Sequence, residues 1–164
     1  MSREIRKVPA DWKHPVNMRG GFIPLLEGGA AQPQSDWDVG KVKWDEGFRD
    51  DFNGGWKPRE GDELTSAYVD WCGPRPIPED YMPQWTPEEA THFMMYESCS
   101  EGTPISPAFA TPEEVARWCA DNGASAFADM TAPYEAWLRI AQGGYAPSMV
   151  LENGKLQSGV EALG

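Results

Sequence analysis

Residues 73–83 read GPRPIPEDYMP, and the four prolines at 74, 76, 78 and 83 forbid a regular element across them. Each proline locks φ at about −65° and removes a backbone donor, so the stretch takes an extended, polyproline-like path. We expect a strap lying across the surface, touching the body through Ile77, Tyr81 and Met82. The same punctuation recurs along the chain, which has 15 prolines and 17 glycines among its 164 residues. A chain broken this often builds short helices joined by ordered turns, not a long-helix bundle. It is still long enough for one domain with a core. Eight tryptophans, six phenylalanines and five tyrosines supply the apolar area despite a mean hydropathy of −0.57.

Residues 1–34 carry Pro9, Pro15, Pro24 and Pro33 and two Gly-Gly pairs, and read as an extended arm anchored by Trp12, Phe22, Ile23, Leu25 and Leu26. Residues 35–164 read as the compact globular domain. SDWDVGKVKWDEGFRDDF predicts a helix capped by Ser35 or Asp36, with Trp37, Trp44, Phe48 and Phe52 on one aromatic stripe that faces the core or a partner. NGGWKPREGD is a loop, and DELTSAYVDWC a short helix presenting Leu64, Tyr68 and Trp71. Thr86-Pro87-Glu88-Glu89 and Thr111-Pro112-Glu113-Glu114 both place a hydroxyl at N-cap, proline at N1 and glutamate at N3, the capping box. Helices are therefore expected over 87–98, apolar on most of its circumference and hence buried, and over 112–121, ending at Asn122-Gly123. In the first of these, Ser100, Glu101 and Gly102 would terminate the helix. Thr131-Ala132-Pro133 starts a third helix, which ends at Gly143-Gly144. The tail changes period, and Asn153-Gly154 between β-formers predicts a hairpin. The expected class is α+β: a helix-dominated single domain of several short helices with proline-rich connecting straps and a C-terminal β-hairpin.

The net charge of −12 is uneven. Five basic residues against Glu4 and Asp11 leave residues 1–20 at +3, so residues 21–164 carry −15. An acidic body repels phosphate backbones, which argues against direct nucleic-acid binding and suits a basic protein partner or mimicry of DNA charge. Cys72, Cys99 and Cys119 form no CxxC pair, and read as reduced thiols. No apolar run follows the basic opening, and none approaches a membrane span, so a soluble intracellular protein is expected.

Chemistry is sparse. His14 and His92 are the histidines, and neither belongs to an HxxxH, HxxE or Cys/His cluster, so no metal is expected. His92 lies on the apolar run and reads as a satisfied core histidine. Ser98-Cys99-Ser100 has no nucleophile-elbow context, Gly143-Gly144 follows a helix where a phosphate loop would precede one, and no cofactor is indicated. Within SCSEGTPISPAFATPEE, most residues have structural work as caps, prolines or core plugs. Glu97, Ser98, Glu101, Thr103 and Ser106 do not. They can line a polar pocket closed by the GGYAPS segment, with Tyr145 and Ser148 at its edge.

The opening REIRKVPADWKHP and the later WTPEEATHFMMYESCSEGTPISPAFATPEEVARW and GGYAPS resemble an uncharacterised family of small proteins of tailed bacteriophages and prophages. The likeness covers the opening and the stretch from Trp85 to Ser148. It implies a setting, the cytoplasm of a bacterial host, and no site residues. Two classes compete there. One is a non-enzymatic accessory protein that binds a host or phage protein with a basic surface through its acidic, aromatic-containing surface, blocking a host defence or regulatory system. The other is a small enzyme or ligand-binding module built on the loop 97–106. A minor virion component, engaging neighbouring subunits through its straps and hairpin, is a weaker third.

Overall fold

The computed structural model of the chain describes residues 2–98, 102–152 and 154–162. Its elements are β1 (Ser2–Val8), α1 (Ala31–Asp45), β2 (Phe48–Asp50), β3 (Trp56–Pro58), a 3-10 turn (Gly61–Leu64), α2 (Tyr68–Cys72) and a second 3-10 turn (Pro78–Asp80). There follow β4 (His92–Ser98), β5 (Thr103–Pro104), α3 (Pro112–Asp121), α4 (Tyr134–Gly143), β6 (Tyr145–Ala146), β7 (Met149–Glu152), β8 (Lys155–Ser158) and α5 (Gly159–Ala162). The fold is α+β, but the expected helix dominance is wrong: 33% of the chain is helical and 24% strand, with a four-stranded antiparallel sheet. The chain forms two compact units, Met1–Leu26 with Gln84–Gly164, and Glu27–Pro83.

The helix expected over 87–98 is a single capped turn followed by a strand. At the turn the capping box forms: the Thr86 N–H donates to Glu89 Oε2 (2.9 Å), the Glu89 N–H to Thr86 Oγ1 (3.4 Å), and the Ala90 N–H to the Thr86 carbonyl (3.0 Å). The chain then extends into β4, which pairs antiparallel with β1 from Val8↔His92 to Ser2↔Ser98. The continuous apolar run Phe93–Tyr96 suits a buried helix and a strand covered on both faces equally well. What decides is a partner some ninety residues away in sequence, β1, which no local pattern announces.

In the first unit the sheet order is β5-β4-β1-β6. Alternation divides the side chains of β1 and β4. Ile5, Phe93 and Met95 pack with α3 and α4 in the main core, against Val115, Ala116, Cys119, Trp137, Ile140 and Val160. In α3 the Thr111–Glu114 capping box (3.2 and 3.1 Å) is followed by Val115, Ala116 and Cys119, all buried, so the helix continues to Asp121 where the Thr86 turn did not. Gly144 closes α4 in the left-handed region (φ 93°). β7 and β8 form the tail hairpin in the register Met149↔Ser158 to Glu152↔Lys155, with Asn153 outside the described residues.

The second unit hangs on α1, which starts at Ala31, before the expected Ser35 cap, and is followed by Gly47 at φ 95°. Trp44 is buried, and rings stack outward from it: Trp44–Tyr68 and Trp44–Trp71 at 5.7 Å each, Trp37–Tyr68 at 5.1 Å and Phe52–Trp71 at 6.3 Å. Gly40 is where Tyr68 comes in; a methyl there would meet the Tyr68 hydroxyl at 2.0 Å. The proline strap runs along α1. Trp37 Nε1 donates to the Gly73 carbonyl (3.0 Å), Gln34 Nε2 to that of Pro76 (2.9 Å), and Arg75 pairs in fork geometry with Asp38 (both contacts 2.8 Å).

Candidate functional site

The loop singled out in the sequence is divided by the sheet. Glu97 is buried on β4, opposite Arg3 on β1 and Thr103 on β5. Arg3 is itself buried, and its Nε and Nη2 donate to the Ser125 carbonyl (2.7 Å) and Oγ (3.1 Å). Ser98 is buried one residue on, so it projects to the other face, opposite Ser2. Tyr145, on β6, joins that second face: its hydroxyl donates to Ser2 Oγ (3.3 Å). Ser106 is architectural. Its Oγ accepts the Met95 N–H (2.9 Å) and donates to the Pro107 carbonyl (2.8 Å), pinning the connection to β4. Ser148 is half-buried just before β7, and Glu101 and Cys99 lie outside the described residues.

The buried histidine is His14, not His92, which is only half-buried and pairs with Thr91 Oγ1 (3.0 Å). The His14 ring lies between two partners: Nδ1 is 3.1 Å from the Tyr96 hydroxyl and Nε2 is 2.6 Å from the Ile23 carbonyl. A carbonyl only accepts, so Nε2 carries the proton and Nδ1 accepts from Tyr96 O–H. The same hydroxyl accepts from Trp12 Nε1 (3.2 Å). Burial pulls the His14 pKa below its usual value, against the Ile23 carbonyl and with help from the Arg6 charge. Arg6 covers the Tyr96 ring at 4.4 Å, pairs with Glu4 (2.5 Å) and donates to the Leu25 carbonyl (2.9 Å). Donors and acceptors match throughout this cluster, so it is a clasp that holds residues 12–25 to the sheet.

The Cys119 thiol gains no reactivity from its position. Burial pushes it up to about 12, Arg3 opposing, so it stays protonated. Among the described residues no three His, Cys, Asp or Glu side chains converge as metal ligands, and no helix is long and apolar enough to cross a membrane.

The second unit holds a recess of about 310 Å³. Phe52, Trp56 and Trp71 are 76, 42 and 39% exposed and wall it, with the carboxylates of Asp36 and Asp50 beside them. Buried Gly40 and Tyr68 line it at depth, and burial, then hydrogen bonding to Cys72, pushes the Tyr68 hydroxyl up and keeps it neutral. Trp56 stands in register with Asp50 across the β2–β3 hairpin. The hairpin loop is tied by carboxylates: Asp50 Oδ1 accepts the Phe52 N–H (2.6 Å), and Asp51 Oδ1 accepts those of Asn53 and Gly55 (2.8 Å each). Arg49 also lines the recess, but it is engaged, lying over Trp71 at 5.2 Å and pairing with Glu63 at 2.8 Å.

Sequence reasoning missed this site by extending α1 through Phe52. Gly47 and the Asn53-Gly54 pair were the available signals, the first for a helix stop and the second for a hairpin. Comparison with protein-family models, with curated proteins and with solved structures finds no match.

Proposed function

We propose that the protein is a non-enzymatic interaction protein, a phage or prophage accessory factor that captures a basic host protein in the bacterial cytoplasm and blocks a defence or regulatory system. The observation that carries this reading is the recess of Phe52, Trp56 and Trp71 beside Asp36 and Asp50. Large exposed aromatics around a concave surface are typical anchors of protein interfaces, where Trp and Tyr supply much of the binding energy. The unit that bears them, Glu27–Pro83, has 13 Asp and Glu against 6 Lys and Arg, a net of −7. A field of that sign steers a basic partner and repels nucleic acid. The phage setting rests on the resemblance of the opening and of residues 85–148.

The experiment is affinity capture from bacterial lysate at low and high salt, with the wild-type protein and an Asp36→Lys/Asp50→Lys variant of matched thermal stability. The expected result is one stoichiometric partner, lost at high salt and absent with the variant. A partner retained equally by the charge-reversed protein would refute the reading.

A further inference from the structure

Phe52 has φ 63°, in the left-handed region that bulky side chains avoid. Its neighbours in the loop, Asn53 and Gly54, are residues that tolerate this region readily, and Gly54 is there too (φ 84°). Burial of the ring does not explain the exception, since Phe52 is 76% exposed. Strained conformations that gain nothing in packing concentrate at functional positions, where the strain holds a group ready. Here the group held is the outer wall of the recess.

Besides Arg49, an internal cation already engaged with Trp71 and Glu63, the recess presents aromatic faces and anionic acceptors, and these together specify the ligand. An aromatic face with a carboxylate beside it attracts a cation. The choice among cations follows from hydrogen bonding. Asp36 and Asp50 each already accept one N–H, from Gln32 Nε2 (2.7 Å) and from Phe52 (2.6 Å). Their remaining acceptor capacity suits further N–H donors, which a quaternary ammonium lacks and a planar guanidinium supplies in a fork while stacking on an indole. The unit already uses this pairing internally, with Arg49 over Trp71 at 5.2 Å and Arg59 over Trp44 at 4.7 Å. We propose that the recess bounded by Phe52, Trp56 and Trp71 binds one arginine side chain of the partner, its guanidinium stacked on the rings and bonded to Asp50 and Asp36. The assignment rests on the interaction reading above and names the group that reading leaves open.

The test titrates the full-length protein with three blocked Gly-X-Gly peptides in which X is arginine, its neutral analogue citrulline, or trimethyllysine, reading the indole N–H signals of Trp56 and Trp71 by NMR. The arginine peptide is expected to bind on the order of tenfold more tightly than either of the others, the size of one cation–π or charge-assisted contact. Phe52→Gly accepts the same φ, and Asp50→Asn keeps the Oδ1 acceptor for the Phe52 N–H; each should weaken arginine binding by roughly tenfold without moving the thermal midpoint appreciably. Citrulline binding as tightly as arginine, trimethyllysine binding more tightly, or no response to arginine at about 10 mM each overturns the proposal. If the last result accompanies a captured partner that the Asp36→Lys/Asp50→Lys variant loses, the interaction reading stands and the arginine assignment alone falls.

Discussion

Replacing Gly102 with alanine tests how the N-terminal segment is seated on the sheet. Gly102 lies at φ +57°, and a methyl there would meet the Leu25 carbonyl oxygen at 2.1 Å and its carbon at 2.8 Å. Both obstacles are backbone, so no side-chain rotation relieves them. Two hydrogen bonds depend on the same approach: the Leu25 N–H donates to the Gly102 carbonyl (3.1 Å), and Arg6 Nη1 to the Leu25 carbonyl (2.9 Å). Left-handed φ costs an alanine about 1 kcal/mol, and each lost buried hydrogen bond about 1 kcal/mol more, for a sum of roughly 2–4 kcal/mol. For a chain of this size that lowers the thermal midpoint by roughly 5–15 °C. Gly144→Ala is the control, because Gly144 has φ +93° and nothing within 4 Å of an added methyl. It should cost only the φ term, about 1 kcal/mol. Chemical denaturation of both variants measures the difference. If Gly102→Ala proves as mild as Gly144→Ala, the Leu25 segment does not sit against Gly102 in solution and the clasp around Arg6 and His14 is misplaced.

Two further outcomes are expected. His14 is buried and neutral with a lowered pKa, so between its folded and unfolded values the unfolded chain binds more protons. Stability should therefore be fully present above about pH 6.5, the unfolded value, and decline as pH falls below it, by up to about 1.4 kcal/mol per unit, until the folded value is reached. Urea melts at pH 7.5 and 5.5 on the wild type and His14→Gln check this, and an equal loss in both proteins would refute it. The twin Thr-Pro-Glu-Glu motifs should also separate: Thr111→Ala, which uncaps a ten-residue helix, should cost about 1 kcal/mol. Thr86→Ala should cost less than half of that, because its turn leads into a strand; equal costs by thermal melting would contradict the structure.

Much of the local structure was legible in the residues because its causes are local. The Thr111 capping box, the Asn122-Gly123 and Gly143-Gly144 stops and the pairing of β7 with β8 are set by backbone geometry and by side chains a few positions away. The proline strap was legible only in part: fixed φ and missing donors act wherever the chain goes, but Pro78–Asp80 closes a 3-10 turn where an extended path was expected, and Ile77, an expected contact, is 49% exposed. What tertiary structure decided are the choices for which local energies are nearly balanced. Thr86-Pro87-Glu88-Glu89 nucleates a turn as well as its twin does, yet Phe93–Tyr96 becomes a strand because Glu4–Lys7 supplies the backbone partners. Glu97 and Ser98 part to opposite faces for the same reason, which divides the loop that looked like a site. Gly102 reads as a helix stop in sequence and serves in the fold to let the Leu25 backbone pass. The aromatic stripe shows the limit most directly. Trp37 and Trp44 stay on α1 as their spacing requires, while Gly47 ends the helix and β2–β3 pairing turns Phe52 back beside Trp71, so that the recess exists only once the hairpin has formed.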